Sequence, residues 1–196
     1  MGYVIEAIDN YDGKAGDSSC REVRVAKYWN YSSCGKVSVY RFSGRWDKQG
    51  IGGTIANRIC KAAYKLATNN NIGYLMARPS TLYNRIAKLG WRLIHANKKY
   101  IGSGKYACDC STLVPCAVNC ANVPKSKRAR NKYVIPGDAW TGNLATYLKR
   151  AGAKKVSAST YNIKTGKGLK SGDIIIAHNA KTGTGHTGIY SSKKSW

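Results

Sequence analysis

Ala107-Cys108-Asp109-Cys110-Ser111-Thr112-Leu113-Val114 is the stretch around which the chain is organised. A polar, glycine-rich approach, Gly102-Ser103-Gly104-Lys105-Tyr106, runs into an apolar segment that opens with Asp, Cys and Ser. Asp or Ser just ahead of an apolar-periodic run marks the start of a helix. A thiol in that first turn faces main-chain N–H groups with no partner inside the helix. The positive end of the helix dipole favours thiolate over thiol there, which is how a cysteine becomes a nucleophile near neutral pH. The same N–H groups can receive an oxyanion as it develops on an attacked carbonyl.

A nucleophile of this kind needs a base, and the chain has three histidines, His95, His178 and His186. His186 follows a strand-like run, Gly172-Asp173-Ile174-Ile175-Ile176-Ala177-His178, and a Gly-rich turn, and it opens a second strand-like run, His186-Thr187-Gly188-Ile189-Tyr190. That placement holds an imidazole rigidly at the end of a sheet. His178 is expected at the surface or behind the site, and His95, in the basic segment Trp91-Arg92-Leu93-Ile94-His95, is expected to be structural.

Asp109-Cys110-Ser111-x-Leu113-Val114, then Leu169-Lys170-Ser171-Gly172-Asp173-Ile174, then His186-Thr187-Gly188-Ile189-Tyr190, resembles the NlpC-type cysteine hydrolases of bacterial cell walls. The nearest look is to phage and prophage peptidoglycan amidohydrolases (endolysins) of Gram-positive hosts. Lys14-Ala15-Gly16-Asp17 with Glu22-Val23, Asn71-Ile72-Gly73-Tyr74, Thr141-Gly142-Asn143 and Tyr147-Leu148 extend the likeness over nearly the whole chain, in order. The resemblance implies an α+β fold with a papain-like core, in which the helix bearing the nucleophile packs on an antiparallel sheet. It implies Cys110 as nucleophile and His186 as base. It sets Tyr74, Asp109 and Ser111 around the substrate, and requires no cofactor. The reaction implied is cleavage of an amide in peptidoglycan, as an endopeptidase or an N-acetylmuramoyl-L-alanine amidase. The family's usual Gly after that Ser is Thr112 here, and its Cβ is expected to narrow the cleft. In such enzymes a third polar group, on the strand after the histidine strand, orients the ring around a dozen residues on. Only ten residues follow His186 here. Either the sequence is a catalytic fragment, or another group takes the role, or backbone alone holds the ring.

Charge narrows the partners. There are 33 Lys and Arg against 9 Asp and Glu, a net charge of +24, and no acidic residue lies between Asp47 and Asp109. Such a field draws a protein onto polyanions. Nucleic acid and the anionic polymers of a Gram-positive wall satisfy that logic equally. The alternative to a hydrolase is therefore a non-enzymatic, nucleic-acid- or polyanion-binding protein with structural cysteines. On the hydrolase reading no nucleic acid is required, the partners are peptidoglycan and anionic wall polymers, and the protein is a monomer.

Seven cysteines (20, 34, 60, 108, 110, 116, 120) are an odd, uneven set rather than a disulfide framework. Cys116 and Cys120 are one helical turn apart and expected to pack inside. The spacing C-x-C-x5-C-x3-C matches no usual zinc finger, so no metal is expected. The start, Met1-Gly2-Tyr3-Val4-Ile5-Glu6, carries a charge inside its apolar run and is too short to span a membrane. Synthesis in the host cytoplasm without a signal peptide, with action at the wall after release, is the expectation. Gly102-Ser103-Gly104-Lys105 is not a phosphate loop, because Lys99 stands where the first Gly is needed and Tyr106 where Ser or Thr is needed.

Along the chain, strands are expected at 3–9, 22–29 and 36–42, helices from Thr54 to about residue 68 and at 80–89, an irregular 91–106, then the cysteine helix. Pro115 falls in its second turn and is expected to kink it or separate its first turn. A loop at 122–139 carrying the basic run 125–130, a short helix at about 141–151 and strands at 154–159, 173–178 and 186–191 complete the reading. The whole, 1–196, is expected to be a single catalytic domain, with 1–50 a β-rich extension packed on a 51–196 hydrolase core.

Overall fold

A computed structural model describes residues 2–8, 23–42, 54–69, 72–76, 80–91, 106–121 and 134–196. Residues 14–17, Cys20, Glu22, Asn71, His95, residues 102–105 and the basic run 125–130 lie outside them.

The strands are β1 (Tyr3–Ala7), β2 (Val23–Lys27), β3 (Lys36–Arg41), β4 (Ile72–Tyr74), β5 (Tyr106–Cys108), β6 (Lys154–Lys155), β7 (Ile174–His178) and β8 (Gly185–Ser191). The α-helices are α1 (Ile55–Ala67), α2 (Thr81–Lys88), α3 (Cys110–Ala121) and α4 (Leu144–Arg150). Six strands form one antiparallel sheet in the order β2-β1-β8-β7-β3-β6, while β4 and β5 pair in parallel beside it. The fold is mixed α+β. Among the described residues no helix is long and apolar enough to cross a membrane.

The first two helices begin where a side chain caps them. Thr54 accepts from the N–H of Asn57, and Ser80 from that of Tyr83. These caps satisfy N–H groups that the helix leaves unpaired, and the apolar period behind them buries Ile55, Ile59, Ala62, Ala63 and Leu66 of α1 and Leu82 and Ile86 of α2. All of α3 is buried, including Cys116 and Cys120. A helix apolar on every side belongs at the centre of a fold. Pro115 lies within α3, which runs on to Ala121, so the first turn is not a separate element.

Alternation along the strands divides the core in two. Ile5, Ala7, Ile174, Ile176 and Ile189 face the helices, whereas Val4, Val39, Ile175, Ala177 and Tyr190 join Tyr31 and Leu169 on the opposite face. The N-terminal strands correct one expectation. Expected as a β-rich extension packed on the core, they share its sheet: β1 lies between β2 and β8, and β3 between β7 and β6. The physical reason is burial. Val4 and Ile5, on opposite faces of one strand, are both fully buried, which only an interior strand of a sheet covered on both sides achieves. At 154–159 only Lys154–Lys155 is strand; Ala158–Thr160 forms a 3-10 turn.

Candidate active site

Cys110 is the first residue of α3, and its position is fixed by a reciprocal cap. The carboxylate of Asp109 accepts from the main-chain N–H of Thr112 at 2.6 Å and from its hydroxyl at 2.8 Å. The N–H of Asp109 donates back to Thr112 Oγ1 at 3.0 Å. This is capping-box logic, with Thr at the third helical position. Ser111 Oγ also donates to Asp109, at 2.9 Å. The cap engages the N–H of Asp109, just ahead of α3, and that of Thr112 within it; those of Cys110 and Ser111 are the ones this turn can offer to an anion.

Three expectations meet the structure here. Asp109 and Ser111 are each 2% exposed, with side chains turned into the cap, so their route to a substrate is through the main chain of the turn. Thr112 is fully buried, so its Cβ does not line an open cleft; it serves the cap instead. Tyr74 stands in register with Cys108 on the neighbouring strand, two residues before Cys110, and is partly buried against the core.

His186 comes to this turn from β8. The next residue, Thr187, donates its hydroxyl to the main-chain carbonyl of Cys110, which ties the histidine strand to the start of α3. The imidazole hydrogen-bonds Glu6 on one side, and the Cys110 thiol acts on it from close by. Its Nε2 lies 3.1 Å from Glu6 Oε2, which leaves Nδ1 for the sulfur. Burial works against a charged ring, but hydrogen bonds and charge attraction from Cys110 and Glu6 outweigh it. They push His186 up to about 10.

Glu6 is the group that sequence reasoning missed. It is fully buried at the centre of β1, and its oxygens are saturated: Oε2 accepts from Trp29 Nε1 (2.9 Å), Tyr31 Oη (3.0 Å) and His186, while Oε1 accepts from Arg24 at 3.1 and 3.3 Å. Burial alone would raise its pKa, yet His186, Trp29 and Arg24 together hold it below the ordinary carboxylate value. Trp29 stacks on Tyr31 at 4.3 Å, and both rings tilt against the imidazole at 5.5 Å. Burial and the adjacent carboxylate keep the Tyr31 hydroxyl protonated, so it stays a donor. The signal that could have revealed Glu6 is a lone charge inside the apolar run Tyr3-Val4-Ile5-Glu6-Ala7-Ile8, since a buried charge is kept only where it is paired.

The other thiols are placed differently. Cys60 donates to the carbonyl of Tyr190, and burial pushes it up to about 12; burial also drives Cys116 well above the ordinary thiol value. All six described cysteines are free, and Cys108 is buried in β5. His178, directly opposite Gly185, sits beside the site: its Nδ1 is 3.2 Å from Thr141 Oγ1 and Trp140 meets it edge-on at 5.4 Å.

Thiol, imidazole and carboxylate are thus in series on a mixed α+β scaffold, with the thiol at a helix start. Such an array can transfer a proton and present a sulfur nucleophile. Residues 6–193 match the endolysin-like domain, and the chain belongs to that family. The family points to a lytic role at the bacterial cell wall. No curated protein and no solved structure matches the chain.

Proposed function

We propose that the protein is a papain-like, NlpC-type cysteine hydrolase that cuts an amide bond of peptidoglycan, as an endopeptidase or an N-acetylmuramoyl-L-alanine amidase. Its home on this reading is a phage or prophage of a Gram-positive host. The observation that carries the proposal is the Cys110–His186–Glu6 series. It sets a helix-start thiol beside an imidazole that Glu6 orients through Nε2 and whose protonated form both neighbours favour.

In the mechanism, the Cys110 thiolate attacks the scissile carbonyl carbon and forms a C–S bond. The carbonyl electrons move to oxygen, and the N–H groups of Cys110 and Ser111 stabilise that oxyanion. As the tetrahedral intermediate collapses, the C–N bond breaks and the His186 imidazolium gives its proton to the departing amine. The neutral ring then takes a proton from water, which attacks the thioester. Collapse of the second intermediate releases a carboxylic acid and restores the thiolate–imidazolium pair. Glu6 never gives up its charge. It fixes the ring's orientation and stabilises the imidazolium, the role a triad carboxylate plays. Tyr74 and the turn at Asp109 and Ser111 border the bound stem peptide. No cofactor enters any step.

Mass spectrometry of digested Gram-positive peptidoglycan tests the reading. New amine and carboxyl termini should appear at one amide position with the intact protein and be absent with Cys110→Ala. Products from the Cys110→Ala variant, or glycan cleavage in place of amide cleavage, would overturn it.

A further inference from the structure

The Leu169-Lys170-Ser171-Gly172-Asp173-Ile174 stretch takes no part in the chemistry above, yet it builds a second feature at the other side of the sheet. A cleft of about 520 Å³ opens there, lined by Arg41, Lys154, Lys155 and Lys170 together with the polar wall of Ser157 and Thr160. None of its lining residues is acidic. Lys154, Lys155 and Lys170 are exposed.

The cleft is organised by one buried carboxylate beneath it. Asp173, fully buried, accepts from Arg41 Nε and Nη2, both at 2.6 Å, in a bidentate pair. Its Oδ2 also accepts the main-chain N–H of Lys170 at 2.8 Å, while its own N–H donates to the Lys170 carbonyl at 3.0 Å. One carboxylate therefore fixes the guanidinium and the backbone that carries Lys170. The far wall is equally set: Gly168 has φ +86°, and a Cβ there would lie 2.1 Å from the carbonyl oxygen of Thr160. Four cations against one carboxylate leave an excess of three positive charges, with Arg41 and the main chain of Lys170 held in place by Asp173. Such a cluster suits a repeated, singly charged anion better than a lone ion.

We propose that this cleft binds a phosphodiester polymer of the teichoic-acid kind. Choosing a wall polymer over nucleic acid rests on the hydrolase reading; the anion chemistry does not. The position fits a tether. β6 stands three places from β8 in the sheet, and Tyr40, beside Arg41, is in register through Ile174 with Ile189, toward the end of β8 away from His186. At about 4.8 Å between strands and 3.4 Å per residue, the cleft lies on the order of 15–20 Å from the catalytic imidazole. Polymer and stem peptide can thus be held at once on one sheet.

The test compares two triple variants of equal net charge. Lys154→Glu/Lys155→Glu/Lys170→Glu removes the cleft's field, and Lys27→Glu/Lys61→Glu/Lys194→Glu changes exposed lysines elsewhere. The probes are a synthetic poly(glycerol phosphate) oligomer and a single-stranded DNA with the same number of phosphates, each titrated at low and moderate salt. The cleft variant should bind the glycerol phosphate oligomer at least about tenfold more weakly, with a flatter salt dependence, and the control variant should lose far less. The intact protein should bind DNA more weakly than the oligomer. Equal losses in the two variants would reduce the effect to general charge, and preferential DNA binding through the same lysines would reassign the site to nucleic acid. Either overturns the proposal. Hydrolysis of a small soluble stem peptide, measured in parallel, should be the same in all three proteins. Were none of them to cleave it, the hydrolase reading would fail while the binding comparison still decided the anion site.

Discussion

Glu6 and His186, 180 positions apart in the chain, meet at 3.1 Å between Oε2 and Nε2. Expectation had sought the orienting group on a strand after the histidine strand. The carboxylate comes instead from β1, which flanks β8 on the side away from β7 and belongs to the other end of the chain. Pairing of Tyr3 with Ser191, Val4 with Tyr190 and Ile5 with Ile189 puts Glu6 opposite Gly188, on the face His186 shares. Glu6→Gln keeps the shape but removes the charge that favours the imidazolium. Its kcat/KM on a soluble stem peptide should fall on the order of 10²-fold or more. Glu6→Ala should also destabilise the fold, because buried donors left without a partner cost about 1–3 kcal/mol each. Wild-type turnover by Glu6→Gln would remove Glu6 from the mechanism.

Two thiols near the helix start separate by role. Cys110→Ala removes the nucleophile but little volume, so lysis should vanish with the melting temperature nearly unchanged. Cys108→Ala should retain substantial activity, since Cys108 is buried in β5 ahead of the helix. His186→Ala should cost as much activity as Cys110→Ala, because the pair acts as a unit. It should also slow alkylation of Cys110 by iodoacetamide, and His178→Ala should cost much less activity than His186→Ala. Equal alkylation rates with and without His186 would show the two to be uncoupled.

What the sequence made legible was local. Asp109 before an apolar run announces the cap of α3, and the glycines of 183–188 announce a strand that starts at Gly185, one residue before His186. Thr54 and Ser80 cap α1 and α2 where the change of period placed those helices. What it hid was non-local. No periodicity records that β1 joins β8, so Glu6 read only as a charge in an apolar run, and β1 and β3 read as part of an extension rather than as interior strands. The parallel pair β4–β5 escaped for another reason: with three residues each, neither strand is long enough to show a period of two.

The state of His186 gives a signed dependence on pH. Its pKa is raised from 6.5 to about 10 in the folded protein. Folding therefore favours the protonated ring, and this stabilisation is fully present below about 6.5, declines above it and is gone once pH passes about 10. Glu6 works in the opposite sense: its lowered pKa adds stability above the ordinary carboxylate range, lost as pH falls through the folded value. Chemical denaturation across the alkaline range should show the first loss, and Glu6→Gln should move it to lower pH. The amide-cleaving kcat/KM should fall on the same alkaline limb, because a neutral ring cannot protonate the departing amine, while alkylation of the thiolate should not fall with it. An alkaline limb unmoved by Glu6→Gln would mean the carboxylate does not hold the proton.

Gly188 offers the last test, because it keeps the space in which the carboxylate is bound. A Cβ there would lie 2.1 Å from the hydroxyl of Tyr31 and 2.6 Å from Cγ2 of Val4. Tyr31 is the buried donor to Glu6 Oε2, so a methyl at position 188 presses on the support of the catalytic imidazole. Overpacking of this kind costs about 1–3 kcal/mol. Gly188→Ala should lower both the melting temperature and kcat/KM, although residue 188 touches no substrate. Tyr31→Phe removes the closer of the two contacts at the expense of one hydrogen bond to Glu6. The double variant should therefore be less destabilised than the sum of the single ones, a coupling that a double-mutant cycle measures directly. Strict additivity would show that the Tyr31 hydroxyl is not what the glycine makes room for.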